Sequence, residues 1–284
     1  GRELLDAGKL DGALELFEQA DAESKGALST RMWVLRVWFA QGRINDAFNQ
    51  TDALKDALKK DNEGPDLDYL YGMGSFLKAK KYIAENVPTN TTGFALQDAQ
   101  TFLTKALAED PGKYYDAWLP LAEAAWLNQD PASAAEAAAQ AVKRDPGPEP
   151  LYLQGRILFS HYQVLSANEK TADQAGAALA KAIAAFHSAI AGVKPKPEEA
   201  GRLGGMYKNL GLALQYAEDG PGAEEAYAET LSWNPNTFDF GTYWGSLGPE
   251  AFTRVLSDGA ARFTKRWGEE TSSDATLVWW LGYP

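Results

Sequence analysis

The feature that most restricts the fold is a spacing of aromatic, small and proline residues that occurs twice. Residues 118–146 and 207–235 each begin with an aromatic side chain and end, 28 positions later, with proline. In both segments an alanine, Ala134 or Ala223, lies 16 positions after the aromatic residue. Agreement at this many positions indicates that the two segments form the same local structure, and such self-similarity is typical of stacked repeats.

Residues 207–235 resemble the tetratricopeptide repeat, a helix–turn–helix unit of about 34 residues. The resemblance rests on an aromatic residue, a Leu–Gly pair, a small residue, a second aromatic residue and a closing proline: Tyr207, Leu210, Gly211, Leu214, Ala223, Tyr227 and Pro235. The earlier segment matches with Leu121, Ala122, Ala134, Ala138 and Ala141. Because one such unit cannot bury its apolar face alone, the resemblance implies an all-α fold, a right-handed α-solenoid of about six to seven repeats.

Other parts of the chain repeat the pattern less completely. Gly8 and Gly42 are 34 residues apart, as are Ala13 and Ala47, and each glycine suits the left-handed end of a first helix. We expect repeats at residues 1–25, 26–60, 66–111, 114–147, 148–195 and 204–236. Two of these contain insertions, which we interpret as a loop over residues 82–93 and a long linker around residues 166–169.

Residues 237–284 are less regular. The Leu–Gly pairs at 247–248 and 281–282 are 34 residues apart, but Pro249 would lie inside the first helix of such a unit, where proline clashes and removes a donor. We therefore predict a helix that begins at Pro249 and Glu250. Residues 272–282 have the pattern of a repeat that the chain does not finish, which favours a piece of a longer protein.

Composition restricts the partners. The chain has 284 residues, a net charge of −12 and no cysteine. This charge argues against a nucleic-acid backbone or an anionic membrane surface as the main partner, and the absence of cysteine excludes disulfides. No uninterrupted apolar run approaches the roughly 18 residues that cross a bilayer, so we expect no membrane insertion. Both the cytoplasm and the periplasm are compatible with this composition.

Groups for catalysis are few. His161 and His187 are the only imidazoles, and both fall in predicted helices. No zinc-protease, nucleophile-elbow or phosphate-loop motif is present. We therefore expect no enzymatic activity, no cofactor and no metal.

In the family that the chain resembles, first helices line a concave groove where partner peptides bind. The resemblance therefore implies a binding face built from aromatic side chains interspersed with cationic, amide and acidic groups: Trp33, Arg36, Phe39, Tyr69, Phe76, Glu123, Trp126, Tyr152, Arg156, Phe159, Lys208, Asn209, Gln215 and Tyr216. Two interpretations of these residues are equally weighted. Either the cations and amides hold a peptide carboxylate beside the aromatic rings, or the rings pack between helices and the cations are solvated.

The leading functional hypothesis is a non-catalytic scaffold that binds a partner protein or peptide in this groove. Nine tryptophans and twelve tyrosines motivate an alternative, a carbohydrate-binding or envelope-assembly repeat protein, because sugar rings stack on exposed aromatic faces. A third hypothesis is a targeting module of a larger enzyme whose catalytic domain lies outside this sequence.

Overall fold

The structure is a computed structural model that describes residues 1–58, 64–167 and 171–268. Within these ranges it contains fourteen α-helices and no strand, which confirms the predicted all-α class. The chain divides into two compact units, Gly1–Arg144 and Asp145–Pro284.

The N-terminal unit consists of eight α-helices, in which helices that follow one another along the chain pack together, α2 on α3, α5 on α6 and α7 on α8. Their bounds are α1 (Arg2–Asp6), α2 (Leu10–Glu23), α3 (Leu28–Ala40), α4 (Ile44–Leu58), α5 (Pro65–Ala84), α6 (Thr89–Glu109), α7 (Trp118–Leu127) and α8 (Pro131–Arg144). A short 3₁₀ turn, Tyr115–Ala117, leads into α7.

The C-terminal unit has six described α-helices, paired in the same manner, with α12 also packed along α14. Their bounds are α9 (Pro148–Ser166), α10 (Ala172–Gly192), α11 (Ala200–Tyr216), α12 (Gly220–Trp233), α13 (Phe240–Leu247) and α14 (Pro249–Trp267). The predicted start of α14 at Pro249 is confirmed, with proline in the first turn, where its missing N–H is not needed.

The ends of several first helices share one turn geometry. Gly8 and Gly42 have φ angles of 70° and 76°, the left-handed conformation predicted from the sequence. The Gly8 N–H donates to Leu5 O over 3.0 Å, which satisfies a terminal carbonyl group of the helix. Gln129 and Glu218 adopt the same conformation, with φ angles of 60° and 59°. The sequence predicted a turn in each of these two repeats but did not identify its left-handed residue, because neither residue is glycine.

Small residues on first helices allow close approach of the second helix. A Cβ atom placed on Gly211 would lie 2.7 Å from the ring of Tyr227, which α12 inserts against α11. Gly155 of α9 receives Phe186 of α10 in the same way, with a hypothetical Cβ at 2.6 Å. The Leu–Gly pair of the repeat pattern thus has a steric cause, because the glycine leaves space for an aromatic ring.

The two predicted insertions have different outcomes. Residues 82–93 are not a loop, because α5 continues through Ala84 and α6 begins at Thr89. Pro88 precedes the first helical turn, where its fixed φ is compatible with helix initiation, so the polar residues after it enter the helix. The linker at 166–169 lies partly outside the described residues, and residues 272–282 lie entirely outside them.

Within the described residues, one helical segment, Asp173–Gly192 of α10, has the length and composition of a membrane span, with a mean hydropathy of 1.3. The segment includes Lys181, and it packs against α9 and α11. Its buried side chains include Ala182, Phe186 and Ala189. A core helix of a globular unit has this same composition.

A row of ion pairs joins α12 to α14. Arg262 Nη1 donates to Glu225 Oε1 over 2.6 Å and to Glu229 Oε1 over 2.7 Å, and Arg266 Nη2 donates to Glu229 Oε2 over 3.1 Å. Burial alone would raise the pKa of Glu229, but the hydrogen bonds from the two arginines outweigh it and hold that pKa below its ordinary value.

This lowered pKa predicts an acid-sensitive contribution to stability. A carboxylate whose pKa is lower in the folded state stabilises the fold above its unfolded pKa, here 4.5, and loses this contribution as the pH falls through the folded value. We expect Glu229→Gln to reduce the difference between the free energies of unfolding at about pH 6 and about pH 3. Urea titrations at both pH values measure the difference, and an unchanged difference in the variant would contradict the assignment.

Candidate functional site

Arg36 of α3 lies inside the N-terminal unit rather than on a groove surface. Arg36 is 5 % exposed, and its guanidinium carbon lies 4.1 Å from the ring centroid of Trp33 and 4.4 Å from that of Tyr69. Nη2 donates to the carboxylate of Asp116 in the turn before α7. The arginine therefore joins α3, α5 and the segment that leads into α7.

Tyr69 belongs to the same buried cluster. Its hydroxyl donates to Asp116 Oδ2 over 2.8 Å, and its ring stacks on Tyr114 with centroids 5.3 Å apart. Burial, followed by the charge of Asp116, raises the pKa of Tyr69 well above its ordinary value. Nε and Nη1 of Arg36 and Oδ1 of Asp116 are buried without a hydrogen-bond partner. The rings of Trp33 and Tyr69 cover the faces of the guanidinium group instead.

The other predicted binding-face residues of this unit are also largely buried, or they contact other side chains. Phe39 and Phe76 are buried, at 4 % and 7 % exposure. Glu123 accepts a 2.5 Å hydrogen bond from Lys80 Nζ, and Trp126 is half-buried. Trp33 is half-buried and stacks on Phe17. Four of the seven predicted side chains, Arg36, Phe39, Tyr69 and Phe76, therefore present almost no surface to a partner.

In the C-terminal unit the predicted residues come together at α9 and α11. Asn209 Nδ2 donates to the hydroxyl of Tyr152 over 2.5 Å and to Gly205 O over 3.2 Å. Tyr152 in turn donates to Gly205 O over 3.3 Å. The Arg156 guanidinium carbon lies 5.7 Å from the Tyr152 ring centroid. Burial raises the pKa of Tyr152, so its hydroxyl stays protonated and available as a donor.

About two turns further along the same helices lies a cluster of three aromatic rings, Phe159, Tyr162 and Tyr216. Their centroids are 5.5 to 5.9 Å apart, in stacked and edge-to-face geometry. Phe159 is buried at 8 %, Tyr162 is half-buried and Tyr216 is 49 % exposed. The cluster thus has a packed base and an exposed rim, as binding surfaces that use aromatic anchors do.

Gln215 and Lys208 lie near this surface. Gln215 Oε1 accepts from the Tyr227 hydroxyl over 2.9 Å, and its Nε2 donates to Ser246 O of α13 over 3.4 Å. Lys208 is half-buried, and its charge contributes to lowering the pKa of Asp239. Gln215 therefore orients α13 relative to α11.

Sequence reasoning missed Tyr162 and Trp244. Tyr162 lies beyond the length of a standard first helix, so no family position corresponds to it, although its spacing of three from Phe159 places both on one helix face. Trp244 belongs to α13 and is 37 % exposed. We expected this region to be irregular, and the repeat pattern assigns no binding-face position to it.

Comparison with known proteins agrees with the geometry. Residues 94–157, which cover most of α6, all of α7 and α8, and the first half of α9, match a family model described as tetratricopeptide repeat. This segment of the chain is therefore similar to the tetratricopeptide repeat family. No curated protein matches the chain. Tetratricopeptide repeats generally mediate protein–protein interaction. Within the described residues, no group of three or more His, Cys, Asp or Glu side chains is placed to hold a metal ion.

Proposed function

We propose that the chain is a non-catalytic interaction scaffold and that its C-terminal unit binds a peptide segment of a partner protein on the face formed by α9 and α11. The observation that carries the proposal is the cluster of Phe159, Tyr162 and Tyr216, whose rim is exposed while its base is packed. An apolar side chain of a partner would cover the rim of Tyr216 and remove apolar surface from water.

Polar groups adjoin this aromatic cluster. Asn209 and Tyr152 are joined by a hydrogen bond that fixes both side chains, so a peptide would meet a pre-organised amide and hydroxyl pair. Arg156 lies beside Tyr152, and Lys208 precedes Asn209 on α11. These cations favour a peptide that carries a carboxylate next to its apolar residue.

The equivalent helices of the N-terminal unit present less exposed aromatic surface. There Phe39 and Phe76 are buried as Phe159 is, and none of the predicted aromatic side chains of that unit is as exposed as Tyr216. This difference supports a binding surface in the C-terminal unit.

Carbohydrate binding has weaker support. Of the seven tryptophans in the described ranges, only Trp244 exceeds one third exposure. A sugar-binding surface usually needs several open rings, whereas here most rings pack against other side chains.

A displayed peptide library tests the proposal. Phage that present random peptides of about 12 residues are selected on the immobilised chain, and the enriched peptides are synthesised for calorimetry. We expect Tyr216→Ala with Asn209→Ala to weaken binding at least about tenfold, because loss of an aromatic anchor removes more than 1 kcal/mol or so.

Phe94→Ala is the matched control, because Phe94 is another exposed aromatic side chain, at 68 %, on α6 of the other unit. It should leave the affinity unchanged. Equal weakening by both variants, or peptides that bind the Tyr216 and Asn209 variant as well as the unmodified chain, would reject the surface. Helicity by circular dichroism confirms that each variant is folded.

A further inference from the structure

The N-terminal unit contains a cleft on the side of the second helices, away from the residues considered above. Its volume is about 240 Å³, and it lies among α6, α7 and α8. Leu107, Leu121 and Ala137 form its apolar wall, Trp118 contributes half-buried aromatic surface, and Glu136 is exposed at the rim. Because pockets for drug-sized ligands start at about 300 Å³, this cleft has room for one side chain.

The second copy of the repeat shows what the equivalent carboxylate binds. The spacing that aligns Trp118 with Tyr207 also aligns Glu136 with Glu225. Glu225 is occupied, because Arg262 of α14 donates to its two oxygens over 2.6 and 2.7 Å. Burial raises the pKa of Tyr207, and the charges of Glu225 and Arg262 also act on this hydroxyl. Arg262 is thus paired with the carboxylate that corresponds to Glu136.

Glu136 forms no ion pair among the described side chains, and α8 is the last helix of its unit. A carboxylate beside an indole ring and an aliphatic wall suits a cation on an apolar stem. The carboxylate accepts hydrogen bonds from a guanidinium group, the ring attracts its charge, and the wall packs against its methylene groups.

We propose that this cleft binds an arginine side chain presented by a helix of a partner protein, in the manner in which Arg262 occupies the equivalent position in the C-terminal unit. The partner helix is amphipathic and basic on one face, like α14, whose last turn contains Lys265 and Arg266. Charge complementarity favours it, because the chain has a net charge of −12. The surface is separate from the α9 and α11 face, so either proposal can fail without the other.

A synthetic peptide with the sequence of Pro249–Trp267 is the probe, titrated into the full chain by calorimetry. We expect the peptide to bind the chain. Glu136→Gln in the protein should weaken this binding about tenfold, and Arg262→Gln in the peptide should weaken it to the same extent. The two changes together should weaken it little further, since they remove the same contact. Glu136 is exposed, so its substitution leaves the thermal unfolding of the chain unaltered, which the same samples verify.

Glu225→Gln in the protein distinguishes binding at the cleft from binding at the position of the chain's own α14. If the peptide merely exchanges with the chain's own α14, this substitution changes the affinity and Glu136→Gln does not, and the proposal is overturned. It is also overturned if no heat of binding is seen at about 1 mM peptide, where even a weak contact worth about 4 kcal/mol is half-saturated. As a second test, Trp118→Leu in the protein should weaken binding of the Pro249–Trp267 peptide and leave the affinity for the library-selected peptides unchanged.

Discussion

Replacing Asp116 by alanine is expected to lower the free energy of unfolding of the N-terminal unit by about 3–5 kcal/mol, the usual range when one partner of a buried ion pair is removed. The substitution leaves the guanidinium group of Arg36, whose side chain is only 4 % exposed, without its counter-charge. It also removes the acceptor of the Tyr69 hydroxyl.

Arg36→Met is expected to cost much less, about 1–2 kcal/mol, although it breaks the same pair. Methionine keeps an unbranched apolar stem between the rings of Trp33 and Tyr69. The Asp116 side chain left behind is 36 % exposed although its Oδ1 is buried, so water replaces part of the lost contact while Oδ2 still accepts from Tyr69. The asymmetry follows from which of the two charges is buried.

Urea unfolding followed by circular dichroism measures the total change, and hydrogen exchange with mass spectrometry assigns it to α3 and α5. Arg254→Ala is the control, because that exposed arginine pairs with Glu224 at the surface, and its removal should change neither observable. If Arg36→Met destabilised the unit as much as Asp116→Ala, the buried charge would not be the cause of the cost.

The Asp116 contact also shows a limit of the sequence. Arg36 was placed on a first helix correctly, but nothing in the repeat pattern indicates that the turn before α7, 80 residues later, supplies its carboxylate. Partners that distant in the chain depend on how successive helix pairs stack, and the repeat period does not specify that geometry. The pattern therefore predicted helices reliably and left undecided which side chains were exposed.

Some helix ends could likewise be predicted from the sequence, and others could not. The left-handed ends at Gly8 and Gly42 follow from local chemistry, and the sequence predicted them. The extension of α6 to Thr89 did not follow, because threonine and asparagine are common both in loops and in first helical turns. Packing against α5 decides between these two states, and that packing is visible only in the structure.

The second large effect concerns the contact between Gly211 and Tyr227. Gly211→Ala is expected to destabilise the C-terminal unit by about 1–2 kcal/mol, because overpacking costs about 1–3 kcal/mol and the gain in helix propensity returns only about 0.5–1 kcal/mol. The ring of Tyr227 cannot withdraw, since it is fully buried, lies 4.5 Å from the ring of Tyr243 and donates to Gln215. Gly176→Ala is the matched control, because that position in α10 has open space and the same substitution should stabilise the chain.

The sign of the Gly211→Ala effect should reverse when Tyr227 is alanine. Tyr227→Ala alone removes a buried aromatic side chain and is expected to cost about 3–5 kcal/mol. In that background the new methyl group at 211 fills part of the cavity and improves helix propensity, so Gly211→Ala becomes stabilising. The resulting pair of alanines is the one that the chain already has at the equivalent positions Ala122 and Ala138, both fully buried. Urea unfolding of the unmodified chain, the two single variants and the double variant measures the coupling energy between positions 211 and 227. Additive effects would show that the glycine is not needed to accommodate the ring.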